Sequence, residues 1–99
     1  MLKHLVLAKF KKDLTEEQIA SLLKATAALP PIIPEIKRYD FGLDKRPERI
    51  FDFALVSEFS DVEALKRYQT QKDHAEAARY IRSLSDEIRI VDFEFQEKN

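Results

Sequence analysis

Both histidines of this 99-residue sequence, His4 and His74, could carry proton chemistry, with a tyrosine phenol as donor. A neutral imidazole can act as a general base, and burial lowers its pKa below the ordinary value of about 6.5. A phenol can orient a carbonyl or donate to the oxygen on which negative charge develops. An imidazole base plus a phenol donor suffices for proton abstraction next to a carbonyl group. A buried histidine and tyrosine can instead hydrogen-bond one another, or backbone carbonyls, and lock a helix onto a sheet. Both readings stand at this point.

Other chemistries are excluded by what is missing. Zero cysteines remove disulfides, thiolate nucleophiles and zinc fingers together. A single glycine, Gly42, cannot build a phosphate-cradling loop or a dinucleotide fingerprint. The two histidines lie far apart in sequence with no evident third ligand, so neither metal nor cofactor is expected. Charge is balanced, 17 basic against 18 acidic residues with a pI near 6.1. That balance argues against nucleic acid, which needs a net basic face. The basic cluster Lys9-Phe10-Lys11-Lys12 reads as a solvated strand end. The longest apolar run falls far short of the roughly 20 residues of a spanning helix. Lysine and histidine interrupt the first apolar stretch, so no signal peptide is expected. The expectation is a soluble, cytoplasmic protein with one domain over residues 1–99.

The elements that must position these groups follow from periodicity. Leu2 to Phe10 alternate as a strand, His4, Val6, Ala8 and Phe10 on one face, Leu5 and Leu7 on the other. Thr15-Glu16-Glu17-Gln18 is a capping box, and Ile19, Leu22, Leu23 and Thr26 form the stripe of the helix it opens. Pro30 and Pro31 stop that helix. Glu35 to Leu43 reads as an edge strand of mixed polarity, and 44–49 as a charged, solvated loop. Ile50 to Phe59 forms the third strand, with Phe51, Phe53, Leu55 and Phe59 together. Ser60-Asp61-Val62-Glu63 reads as a second capping box for a helix carrying Val62, Leu65 and Tyr68 inward. The pattern breaks after Thr70 and restarts with Asp73 as N-cap; Ala77, Ala78, Ile81 and Leu84 then make the buried stripe. Glu87 to Phe95 closes the chain as a strand with Val91, Phe93 and Phe95 on one face. Within it, Asp92 is either an interface acceptor or an edge residue.

The order β-α-β-β-α-β with right-handed crossovers predicts an α+β, ferredoxin-like fold: a four-stranded antiparallel sheet, helices on one face, the second helix broken in two. Helices cover one face only, yet the two central strands are apolar on both. The uncovered face is therefore expected to pack against the sheet of an identical chain, giving a homodimer. His4 and His74 fall on inward faces, each in an apolar setting.

The residues also carry a family pattern. His4-Leu5-Val6-Leu7, Phe53-Ala54-Leu55-Val56-Ser57-Glu58-Phe59, Ala64-Leu65-Lys66-Arg67-Tyr68, His74 and Val91-Asp92-Phe93 together resemble the stress-responsive dimeric α+β barrel (Dabb) domain over nearly the whole chain. The resemblance implies two sheets closing into a barrel across a dimer. It further implies either a stress-response or assembly protein, or a cofactor-free cyclase that closes a linear polyketide in a pocket between sheet and helices. Carried over by position, the cyclase residues fall on His4, Tyr68 and His74, which the resemblance makes the catalytic candidates of a sheet–helix pocket lined by Val6, Phe53, Leu55 and Ile81. The third-strand histidine falls on Phe53, which cannot take a proton. On this sequence the two functions are a binder of a small apolar or aromatic metabolite, with cyclase, lyase or isomerase chemistry, and a non-enzymatic assembly protein.

Overall fold

A computed structural model describes residues 1–97 of the chain. Its elements run β1 (Leu2–Phe10), α1 (Glu16–Ala27), β2 (Arg38–Leu43), β3 (Phe53–Phe59), α2 (Val62–Thr70), α3 (Lys72–Ser83) and β4 (Ser85–Glu94). The strands form one antiparallel sheet in the order β2-β3-β1-β4, the ferredoxin-like arrangement expected from the element order.

Local chemistry sets the ends of these elements. At the start of α1, Thr15 Oγ1 accepts from the Gln18 amide at 3.1 Å and Gln18 Oε1 accepts from the Thr15 amide at 2.8 Å. That reciprocal pair satisfies two amides which the first helical turn leaves free. The second strand begins at Arg38 rather than Glu35, because the chain around Pro34 is still turning: the Ile36 amide bonds back to the Ile33 carbonyl. The third begins at Phe53 rather than Ile50. Asp52 anchors the chain just before it, its amide donating to the Ala8 carbonyl at 2.9 Å while its carboxylate takes the Phe10 amide and Arg49 Nε, each at 2.8 Å. The N-cap of α2 is Asp61, one residue beyond the expected Ser60, and its carboxylate takes the Ala64 amide at 2.8 Å. The fourth strand starts two residues earlier than expected, at Ser85, with a register irregularity opposite Lys9 and Phe10.

The helix breaks after Thr70, as the sequence pattern does, but the N-cap of the second piece is Gln71, not Asp73. Gln71 has an extended backbone; its amide closes α2 on the Tyr68 carbonyl and its side chain accepts the His74 amide, opening α3. One residue therefore caps two helices.

Helices cover one face of the sheet. The core beneath them divides into two clusters, one gathering Leu2, Phe59, Leu65 and Tyr68 with Leu29 and Ile33, the other Ala8, Phe10, Phe53 and Leu55 with Leu22 and Ile81. Full burial of each large side chain contributes about 1.5–3 kcal/mol. On the opposite face Leu7, Val91 and Phe93 are exposed. No helix among the described residues is long and apolar enough to cross a membrane.

Candidate functional site

Between the two core clusters the inner face of the sheet turns polar along a single rung. Register places Asp92 of β4 opposite His4 of β1, His4 opposite Ser57 of β3, and Ser57 opposite Tyr39 of β2. The Asp92 carboxylate accepts a hydrogen bond from His4 Nδ1, and Ser57 Oγ donates to the His4 carbonyl at 3.4 Å. His4 and Ser57 are buried. A carboxylate on Nδ1 fixes the ring's orientation and leaves Nε2 as its free nitrogen. Asp92 is thus the partner of His4. The sequence alone could not reveal this, since only the β1–β4 register brings residues 88 positions apart together.

Above this rung sits a cavity of about 210 Å³ between sheet and helices. His4, Tyr68 and His74 all line it, as do Val6, Leu55 and Ile81. Phe53, expected beside them, is not on its wall. It packs between Phe10 and Phe41 in the second core cluster, two rungs along β3 from Ser57. Tyr39, at the end of the polar rung, lines the cavity unanticipated, and its buried hydroxyl has no hydrogen-bond partner among the described residues. A buried polar group left unpaired is costly unless something else completes it.

The aromatic geometry ties the site together. The Tyr68 ring lies 6.1 Å from His4 and 4.1 Å from His74, centroid to centroid, and stacks on Phe59 at 4.8 Å. His74 Nδ1 donates to the Gln69 carbonyl at 3.3 Å, which leaves Nε2 as the lone-pair nitrogen. Burial lowers the His74 pKa below its ordinary value; nearby His4 acts in the same direction, and the Gln69 carbonyl opposes them. His74 is therefore neutral at neutral pH and basic at Nε2. Burial pushes the Tyr68 phenol up to about 12, with the Tyr39 phenol acting in the opposite sense. Burial likewise raises the Tyr39 phenol far above its usual value, helped by Tyr68. Both phenols are donors, not bases. Among the described residues no three His, Cys, Asp or Glu side chains converge as metal ligands would.

A two-layer βαββαβ sandwich with a small cavity between sheet and helices defines the ferredoxin-like class of α+β domain. Residues 2–95 match the model of the Stress responsive A/B Barrel Domain (Dabb), and the chain belongs to that family. It is 29% identical over 94 residues to a stress-response A/B barrel domain-containing protein of Arabidopsis thaliana, covering 92% of this chain and 86% of that protein. It is 30% identical over 94 residues to olivetolic acid cyclase of Cannabis sativa, covering 92% and 93% respectively. Among solved structures, a dimeric ferredoxin-like protein of unknown function from Bacteroides fragilis superposes with a TM-score of 0.83 at 31% identity, over 95% of each chain.

Proposed function

We propose that this protein binds a small apolar or aromatic carbonyl compound in the sheet–helix cavity and moves a proton next to its carbonyl without a cofactor. The observation that carries the reading is the cavity itself: space remains where His4, Tyr68 and His74 meet. Core side chains normally pack that space shut, because interiors are as dense as organic crystals. His74 Nε2 takes the proton from the carbon next to the carbonyl, and the electron pair moves onto the carbonyl oxygen. A Tyr68 hydroxyl donating there stabilises the enolate, in the manner of an oxyanion hole. The enolate carbon then attacks a second carbonyl, as in a cyclase, or is reprotonated, as in an isomerase. His4, oriented by Asp92, shapes the floor. The olivetolic acid cyclase relative supports reaction within this class. Phe53 stands outside the cavity, so no third histidine from β3 enters the scheme.

The unit that does this is proposed to be a homodimer joined through the open sheet face. Val91 and Phe93 are exposed there beside half-buried Leu5 and Val56, and the Bacteroides fragilis relative is a dimer. Apolar strand faces of this kind mark interfaces.

The test is a thermal-shift screen over aromatic ketones and polyketide-like compounds, with His74→Ala run in parallel. Hits should stabilise the wild type and lose their effect on the variant. Equal shifts in both proteins would remove the cavity from the function and leave assembly through the sheet face as the role of the fold.

A further inference from the structure

Seven arginines punctuate the chain, and five of them, Arg38, Arg46, Arg49, Arg67 and Arg89, are held in ion pairs. Arg79 and Arg82 make none among the described residues, and of these two only Arg82 borders the cavity. No Lys, Asp or Glu among the described residues shares that lining, so Arg82 is its one fixed charge. The cavity has a floor and a mouth: His4, Leu55 and Tyr68 are buried, whereas Ile90 is half exposed and Arg82 exposed. Arg82 stands at the mouth.

Its placement relative to the base follows from α3. His74, Ala78 and Arg82 fall at i, i+4 and i+8, one face of the helix, with about 12 Å along the axis between the first and the last. Ala77, Ala78 and Ile81 form the wall between them, so the helix presents only apolar side chains there. The site thus offers a proton-transfer floor, an apolar waist and a guanidinium at the rim.

We infer that the ligand is a carbonyl compound carrying a single carboxylate, its carbonyl directed to the floor and its carboxylate paired with Arg82 at the mouth. This rests on the small-molecule reading of the cavity and adds a substrate class to it. A guanidinium matches a carboxylate with two parallel N–H···O bonds. A dianionic phosphate fits less well, because one cation faces it and Asp86 and Glu87 border the groove that continues from Arg82. The cavity is smaller than the roughly 300–1,000 Å³ typical of drug-sized ligands, which suits a compact keto acid.

Calorimetric titration with 4-oxo-4-phenylbutanoate and its methyl ester separates these features, using wild type, Arg82→Gln and Arg79→Gln. The acid should bind the wild type about tenfold more tightly than the ester, the size of one charge-assisted contact. Arg82→Gln should erase that difference, while Arg79→Gln retains it. Equal affinity of acid and ester for the wild type, or equal loss in both variants, overturns the pairing with Arg82 and leaves the cavity reading intact. Failure of both ligands to bind the wild type overturns the cavity reading, and this inference with it.

Discussion

The rings of Tyr68 and His74 lie 4.1 Å apart although they belong to different helices. On one continuous helix, positions i and i+6 point about 120° apart and their side chains do not meet. Gln71 removes that obstacle. Its extended backbone, φ −69° and ψ 136°, ends α2 and redirects α3, while its side chain caps the new helix at His74. Replacing Gln71 with Ala should cost about 1 kcal/mol of stability through the lost cap. Ligand affinity should fall further than that, because the His74 ring loses its register with Tyr68. Denaturant melts and ligand titration on the same variant separate the two effects, and Gln71→Asn, which restores a capping carbonyl, should recover stability first.

How much of this was legible beforehand depends on the range of the interaction. The Thr15 capping box, the prolines that end α1 and the break in the second helix are local, and residues a few positions apart announce them. The inward faces of His4 and Leu55 follow from strand alternation alone. The Asp92–His4–Ser57–Tyr39 rung does not, because it exists only once β1 has paired with β3 and β4 in one particular register. The same register decides Phe53. Alternation correctly puts it on the inner face, but its distance along β3 from His4 is fixed by pairing, and that distance takes it out of the cavity. The N-cap at Gln71 was missed because aspartate is the stronger capping residue by type; Asp73 instead takes a hydrogen bond from Gln71 Nε2 at 2.9 Å.

The Asp92 carboxylate is the acceptor for a buried imidazole N–H, so truncating it should expose a cost that a surface residue does not carry. Asp92→Ala should destabilise the fold by about 1–2 kcal/mol, the range for stranding one buried donor. His4→Phe should lower that penalty when combined with it, since the stranded group is then gone. A double-mutant cycle by urea denaturation reads the coupling directly. Additive effects would mean that the two side chains do not depend on each other.

Tyr68 separates packing from chemistry. Its ring is buried against Phe59 and His74, so Tyr68→Ala should cost about 3–5 kcal/mol, as large aromatic truncations do. Tyr68→Phe keeps the ring and should stay within about 1 kcal/mol of the wild type, while removing the donor that the proposed proton transfer needs. Any ligand turnover found in the screen should fall by about 100-fold in Tyr68→Phe with little change in melting temperature. Unchanged turnover would transfer the donor role to Tyr39.

The depressed pKa of His74 makes stability depend on pH with a definite sign. Burial disfavours the imidazolium in the folded chain, so the unfolded chain binds the proton more readily. The stability associated with neutral His74 is fully present above the unfolded value of about 6.5 and is lost as pH falls through the lower folded value. Melting temperature should therefore drop between pH 7.5 and 5.5, and His74→Gln should flatten that part of the profile. An identical slope in the variant would place the titration on another group.

The open sheet face supplies the remaining prediction. Val91 sits opposite Leu5 on β1, and Phe93 beside it opposite Lys3, so Leu5, Val91 and Phe93 form an apolar patch on the side away from the helices, bordered by the Lys3–Glu58 ion pair. In a two-fold dimer each residue counts twice, and burying a phenylalanine contributes about 1.5–3 kcal/mol per copy. Phe93→Glu should therefore weaken association by roughly a hundredfold or more, before the cost of burying two carboxylates is added. Val62→Glu is the matched control. Val62 is similarly exposed, but it lies in the first turn of α2 on the opposite layer, where a carboxylate also suits the helix dipole. Sedimentation velocity at micromolar concentration should show a dimer for the wild type and for Val62→Glu, and a smaller or unfolded species for Phe93→Glu. A Phe93→Glu protein that sediments as the wild type does would place the interface elsewhere than on the open face.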